Sequence, residues 1–372
     1  MTEYYGILNQ YLREGDKDRA EQARDWRVAI GLQAVDGLKP SDYLLETARR
    51  NVEGEIGMEE VGRLLHQYYE SKAARTPEDE GREECDKASA NIKRILATRT
   101  LAFNTNGYIA THRRIFEGVF KHAGELRKYD MTKKEFVLRG DTVNYLNWED
   151  LRRAIDYDLQ QEREFSYKGL TDTEKIQRLC RFTAGLWQIH AFREGNTRTT
   201  AVFLIQYLRS IGYKDAGNDM FADHSWYFRN ALVRANYKNT FLGIDYDFSF
   251  LERFFRNLLL GENHELKNRT MVINAPEGWG STQEMAVSTQ EMPVSTQEMP
   301  ASTQETKGGT PETTAERILE AIRRKPTTTR RELAEVAGIT PDGIKKQLDK
   351  LRKAGIIRHE GPTKGGRWRI ID

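Results

Sequence analysis

Between residues 281 and 307 the chain repeats a seven-residue unit: STQEMAV, STQEMPV, STQEMPA and a truncated STQETK. This repeat constrains the fold more than any other feature. A heptad period can signal a coiled coil, but each full unit offers one Met as its main apolar anchor, and two of them carry Pro. Proline removes a helical donor, and so little apolar surface cannot offset the entropy of ordering the chain. Residues 272–311 therefore read as a flexible linker, its Ser and Thr hydroxyls open to modification, with separate folding units on either side.

The remaining text is that of an ordinary globular protein, with 31% charged and 38% hydrophobic residues. No run approaches the roughly 20 apolar residues a membrane helix needs, and the first twenty residues lack the apolar core of a signal peptide. Two cysteines, Cys85 and Cys180, are too few for a disulfide framework. The expectation is a cytoplasmic protein with no membrane partner. Charge is uneven: residues 312–372 hold 15 Lys+Arg against 9 Asp+Glu, a surplus of +6 in a chain of net +2.

Before the linker the text is mainly helical. Thr171 and Glu174 form a capping-box pattern, followed by Ile176, Leu179, Cys180 and Thr183 at helical spacing toward Trp187. A second helix shows Ala201, Leu204, Ile205 and Leu208 and stops near Gly212. Residues 135–145 read as a hairpin turning at Arg139-Gly140-Asp141.

The loop between the two helices carries chemistry: His190-Ala-Phe-Arg-Glu-Gly-Asn-Thr-Arg198. The turn opens a helix, whose N-terminal N–H groups and dipole suit a phosphate. Gly195 lets backbone approach an anion, and Arg198 has the fork geometry for phosphate oxygens. Glu194 is a hard ligand of the kind Mg²⁺ takes in ones and twos beside phosphates. His190 then faces the anion as a base for an incoming hydroxyl.

This loop resembles the signature of the Fic family, HPFx(D/E)GNGRxxR, matching at His190, Phe192, Glu194, Gly195, Asn196 and Arg198. His112 to Arg127 resembles the family's early helix and its AGExR turn. The resemblance implies a general base at His190, a loop anchor at Phe192 and a Mg²⁺ ligand at Glu194. It also implies an anion hole from Gly195, Asn196 and Thr197, phosphate contact by Arg198 and an adenine-pocket amide at Asn236. Phe136, Val137 and Leu138 stand where the family has a flap that docks the target as an added strand. Ala191 replaces Pro and Thr197 replaces Gly, the latter tolerable if the turn needs no positive φ there. Ala201 replaces a second Arg that contacts the terminal phosphate of ATP.

Residues 26–70 are similar to the inhibitory antitoxin module that accompanies Fic domains, whose motif is (S/T)xxxE(G/N). Here Leu32, Asp36 and Gly37 occupy that motif, so Asp36 and Gly37 stand at the inhibitory position. With Ala201 opposite, Asp36 is expected to lack its cation and to contribute little.

From Thr313 onward, Ile318, Leu319 and Ile322, then a helix started by Thr329, then Ile344, Leu348 and Leu351 give three amphipathic helices. A two-stranded segment follows. This resembles a winged helix-turn-helix, with Lys345 and Lys346 on the third helix and Lys364 and Arg367 on the wing as DNA contacts.

The reading as a whole is a mainly α protein. It comprises an inhibitory helical segment at 1–75, a Fic-type helical bundle with a β-hairpin flap at 90–270, the linker, and a winged helix at 312–372. The implied function is transfer of AMP from ATP, with Mg²⁺, to a hydroxyl of a target protein; self-modification and a homodimer fit the same reading. The alternative is a DNA-binding regulator whose Fic domain only senses a nucleotide.

Overall fold

The computed structural model describes residues 6–71, 76–98, 100–213, 218–275, 297–298, 318–319, 321–323, 325–330, 332–333, 341–353, 355–360 and 367–371. The chain divides into two compact units, Met1–Lys238 with Tyr246–Ala301, and Asn239–Asp245 with Ser302–Asp372. The segment read as a linker starts too early at 272: Val272 and Ile273 are buried and Ile273 N–H donates to Val137 O at 2.9 Å, and beyond residue 275 only residues 297 and 298 of it are described.

The first unit is helical: α1 (Gly6–Glu14), α2 (Lys17–Gly31), α3 (Asp42–Val52), α4 (Met58–Glu70), α5 (Pro77–Ala97), α6 (Thr105–Phe116), α7 (Leu151–Glu164), α8 (Asp172–Ile189), α9 (Asn196–Ser210), α10 (Asn218–Ala235) and α11 (Ser249–Leu260). Local chemistry sets many of the boundaries. Asp16 accepts the Asp18 and Arg19 N–H groups to start α2. Thr76 with Asp79 and Thr171 with Glu174 form capping boxes on α5 and α8. Among the described residues no helix is long and apolar enough to cross a membrane.

The N-terminal segment has its own apolar cluster around Trp26, Ile30, Leu44 and Leu65, to which Ala90 of α5 contributes. Polar contacts fasten it to the rest of the unit. Ser41, the α3 cap, donates its hydroxyl to Asp86 of α5 at 2.5 Å, and Arg27 bridges Asp219 and Asp223 of α10 at 2.7 and 2.9 Å. A 3-10 turn, Leu32–Asp36, follows α2 and ends at Gly37, whose φ of 72° is the left-handed conformation that glycine adopts without strain. Leu32, in the place of the antitoxin motif's Ser/Thr, is fully buried.

At the centre lies α9, buried on every side from Asn196 to Leu208. A helix without a solvent face is expected at the middle of a bundle. Phe192, Tyr108 and Phe203 pack around its start.

Residues 135–145 do not form the expected strand ladder. The reversal at Arg139-Gly140 is present, and Glu135 N–H reaches Asp141 O at 2.8 Å. Phe136–Leu138, however, is a 3-10 turn. Val137 and Leu138 are both buried, and adjacent residues of a strand point to opposite faces, so two buried neighbours suit a turn sunk into the core. The short extended stretch lies just before, at β1 (Met131–Thr132), paired antiparallel with β2 (Gln297–Glu298).

In the second unit, α12 (Pro341–Lys353) is followed by the antiparallel pair β3 (Ile357–Glu360) and β4 (Arg367–Ile370). Its core is Ile318, Leu319, Ile322, Leu333, Ile344, Leu348, Leu351, Ile357 and Trp368. All six positions read as inward from the sequence are in it. Thr329 caps with Glu332 as a reciprocal pair.

Candidate active site

The site is the turn from α8 to α9. His190 ends α8 in the left-handed region, φ 49° and ψ 55°, uncommon for a residue with a side chain and typical of strained functional positions. Arg127, from the AGExR turn, holds it there. Its Nε donates to His190 O at 2.8 Å, Nη1 to Tyr129 O at 2.6 Å, and Nη2 to the Leu146 carbonyl, while its backbone N–H donates to Ala191 O at 3.0 Å. Asn196 closes the loop from the other end: its amide accepts from Phe192 N at 2.9 Å and donates to Phe192 O at 2.7 Å. Phe192 is fully buried and stacks on His112 at 3.8 Å. His112 Nδ1 accepts Gly124 N–H at 2.8 Å, which leaves Nε2 to donate to Glu194 O at 3.2 Å. Burial lowers its pKa to about 3, so it is a neutral strut.

The His190 ring stacks on Tyr145 at 3.9 Å and meets the edge of Trp187 at 5.3 Å. It is 3% exposed. Neither ring nitrogen has a hydrogen-bond partner among the described residues. Burial, then the charges of Lys133, Arg127 and Arg229, hold its pKa well below the usual histidine value. The imidazole is therefore neutral at pH 7, and the same surroundings make it a weaker base than a free histidine.

Gly195 opens α9 with φ 70° and no side-chain cap, leaving the first N–H groups of the helix to a ligand. A Cβ here would fall 2.2 Å from the Phe116 ring, so conformation and space both demand glycine. Thr197 needs no positive φ; its hydroxyl accepts the Trp187 indole N–H at 2.9 Å. The side chains of Asn196 and Thr197 are thus engaged, Asn196 with the loop itself and Thr197 with Trp187 of α8. Asn236 donates its amide to Ala184 O and Leu232 O at 2.9 and 3.0 Å, tying α10 to α8. The Glu194 carboxylate makes no hydrogen bond or ion pair among the described residues.

Arg198 is the reverse case. It is 1% exposed and lies over the Phe116 ring at 4.7 Å. Nη1 donates to Gln33 at 2.8 Å and Nη2 to Glu84 of α5 at 2.6 Å. Nε lies 2.8 Å from Asp36 Oδ2, a close ion contact whose N–H direction does not make a hydrogen bond. The expectation that Asp36 lacks a cation is therefore corrected: Ala201 is buried and offers none, but Asp36 reaches the signature arginine itself. Burial opposes the charge of Arg198, and Asp36 and Glu84 together outweigh it, so its pKa is raised.

Sequence reasoning missed three residues here. Glu84 sits on a helix not read from the sequence, Arg127 was noted only as part of a motif, and Lys133 was not singled out. Lys133 is buried, and Asp36, Glu194 and Glu135 act on its charge. In the second unit, Lys345 is exposed on α12, while Arg367 pairs with Glu360 at 3.2 Å. The side chain of Lys346, and Lys364 altogether, lie outside the described residues.

Residues 102–208 match the Fic/DOC family model, and residues 312–358 match the model of a winged helix-turn-helix that binds DNA. The chain thus carries a Fic/DOC domain followed by a winged helix. One relative by sequence is the protein adenylyltransferase VbhT of Bartonella schoenbuchensis, 29% identical over 134 residues, 35% of this chain. The match spans 27% of that relative's length. A solved Fic family protein from Desulfovibrio desulfuricans G20 aligns over 100% of this chain and 97% of its own, at 13% identity and a TM-score of 0.41.

Proposed function

We propose that this protein transfers AMP from ATP to a hydroxyl side chain of a protein, with His190 as general base. The observation that carries this reading is the state of His190: buried, neutral, held by Arg127, and with both ring nitrogens unpartnered among the described residues, in the loop that leads to the uncapped N-terminus of α9. A buried polar group left unsatisfied costs about 1–3 kcal/mol, which makes sense where a ligand supplies the missing partner. In the step, the target hydroxyl oxygen attacks the α-phosphorus, an O–P bond forms, and the bond to the β-phosphate oxygen breaks. Pyrophosphate leaves, and the hydroxyl proton passes to His190. The α9 N–H groups face the charge that builds on the phosphoryl oxygens. The unpaired carboxylate of Glu194 fits a divalent cation that takes one protein carboxylate and otherwise phosphates and water; bound Mg²⁺ would supply charge neutralisation there.

The same site is held in check. Arg198 cannot offer its fork to a phosphate while Gln33, Asp36 and Glu84 engage its three nitrogens. That observation also favours the second reading, a DNA-binding regulator that senses a nucleotide, for which the winged helix and exposed Lys345 offer the DNA contact. Free, buried Cys85 and Cys180 agree with a cytoplasmic setting.

Incubation of the full chain and a cell extract with each labelled nucleoside triphosphate and Mg²⁺ tests the enzyme reading. His190→Ala should lower transfer by about 10²–10⁴-fold, as loss of a general base does, with ATP affinity within a few-fold of wild type. Equal labelling by both proteins would remove His190 from the mechanism. Nucleotide binding with no transfer in any mixture would favour the sensor.

A further inference from the structure

A histidine base is commonly set to its task by a hydrogen bond to its second nitrogen. His190 is held in another way. Neither Nδ1 nor Nε2 has a hydrogen-bond partner among the described residues. The Trp187 backbone favours the charged ring, but burial, Lys133, Arg127 and Arg229 each oppose it more strongly. What grips the imidazole is a pair of aromatic rings. Tyr145 stacks on it with centroids 3.9 Å apart and planes 24° from parallel. The Trp187 indole meets it edge-on at 5.3 Å and 87°. A stacked neighbour fixes the plane of the ring and leaves the nitrogens at its edge free for a substrate.

Tyr145 is itself fixed from several sides. Its hydroxyl donates to Glu135 Oε1 at 3.0 Å, and burial and Glu135 keep the phenol pKa high, so it remains a donor. Glu135 is fully buried and accepts Arg229 Nη1 and Nη2 at 2.7 and 3.2 Å. On either side in the chain, Asn144 O accepts from Gln188 of α8 at 3.1 Å and Leu146 O accepts from Arg127 Nη2. In the transfer described above, His190 takes the hydroxyl proton and becomes a cation in surroundings that disfavour one. A cation against an aromatic face is attracted by the ring quadrupole, most strongly away from water. A phenol that donates to a carboxylate has a more electron-rich ring, which strengthens that attraction.

We propose that Tyr145 is a positioning residue for the base: it fixes the plane of His190 and offsets the charge that His190 gains during transfer, with Glu135 and Arg229 as its strut. The inference rests on the transfer reading given above. The effect belongs to the chemical step, so it appears in the rate at saturating ATP and not in ATP affinity.

Labelling of proteins in a cell extract by the full chain, with α-labelled ATP and Mg²⁺, tests it beside ATP titration. Tyr145→Leu, apolar but without a ring, should lower the rate at saturating ATP by about 10–30-fold, with ATP affinity within a few-fold of wild type. Tyr145→Phe keeps the ring and should recover most of that rate. Phenylalanine analogues of increasing ring fluorination at position 145 keep the shape and weaken the negative face, so the rate should fall stepwise along that series. A wild-type rate in Tyr145→Leu overturns the inference, and if His190→Ala still loses transfer, the base stands without Tyr145. Lost ATP affinity in Tyr145→Leu at an unchanged saturating rate overturns it as well, because the ring then serves the nucleotide. A flat fluorination series, or Tyr145→Phe as slow as Tyr145→Leu, overturns it even where the leucine variant fails to fold. A wild type that labels nothing overturns the transfer reading and this inference together.

Discussion

His190 and Arg198 stand at the two ends of one loop and are treated in opposite ways. The imidazole is buried with no hydrogen-bond partner for either nitrogen among the described residues, while the guanidinium has every nitrogen in contact with a polar oxygen. At the base end, the surroundings are built from the domain's own elements: Arg127, Tyr145 and Trp187. At the cradle end, the contacts come from outside the loop, from the turn after α2 and from α5. The difference separates readiness from access. In the proposed transfer the base would need only a substrate, whereas the phosphate site would first have to lose contacts it already has.

The most demanding test of that contrast is to free Arg198 without touching it. Removing both negative charges, with Asp36→Asn and Glu84→Gln together, keeps side-chain size and hydrogen-bonding oxygens. Each charge is partly exposed, at 31% and 24%, so repulsion of a phosphate by each is worth about 1 kcal/mol. ATP affinity should therefore rise by about 10–100-fold, read by titration. A fall instead would mean that the carboxylates align Arg198 for its ligand, and the two ends of the loop would then be equally prepared.

The base end was legible in the sequence and the cradle end was not, for a physical reason. His190, Phe192, Glu194, Gly195 and Arg198 lie within nine residues, so spacing alone shows what chemistry they can share. The contact of Arg198 with Glu84 joins residues 114 apart, and nothing local in either helix announces it. Absence of a cation at position 201 pointed to a powerless Asp36, because the reading looked for the aligned partner and not for the nearest one. Lys133 was hidden similarly: nothing in the sequence singled it out, and only packing shows that it is buried. The flap shows a different failure, in which apolar residues beside a turn read as strand although two adjacent ones are buried. In the second unit the apolar spacing read from the sequence found six of the nine core residues.

A smaller effect follows from changing Asp36 alone. Asp36→Gly removes one charge from Nε of Arg198, but Glu84 keeps Nη2 and Gln33 keeps Nη1. The fork stays occupied, so the transfer rate should change by less than about tenfold, the worth of one partly screened charge. A rise of a hundredfold or more would show that Asp36 is the whole restraint and that Glu84 yields without it.

The smallest expected effect is a response to acid that distinguishes the two ends. Burial is the main cause of the raised pKa of Glu84; Asp36 and Glu194 push the same way, and Arg198 opposes them. As pH falls toward that raised value, Glu84 gains a proton and the cradle loses one negative charge. An anion prefers the protonated form, so ATP should bind more tightly as pH is lowered. His190 behaves differently: its pKa is held well below the usual value, so the base stays neutral over the same interval. The comparison is made between wild type and Glu84→Gln from pH 7.5 to about pH 5.5, which cancels protonation of the nucleotide itself. Wild-type affinity should rise by about two- to threefold more than that of the variant, since a partly exposed carboxylate titrates only in part and acts through screened distance. Identical pH dependence in the two proteins would mean that Glu84 stays ionised throughout, and that the hold on Arg198 is insensitive to acid.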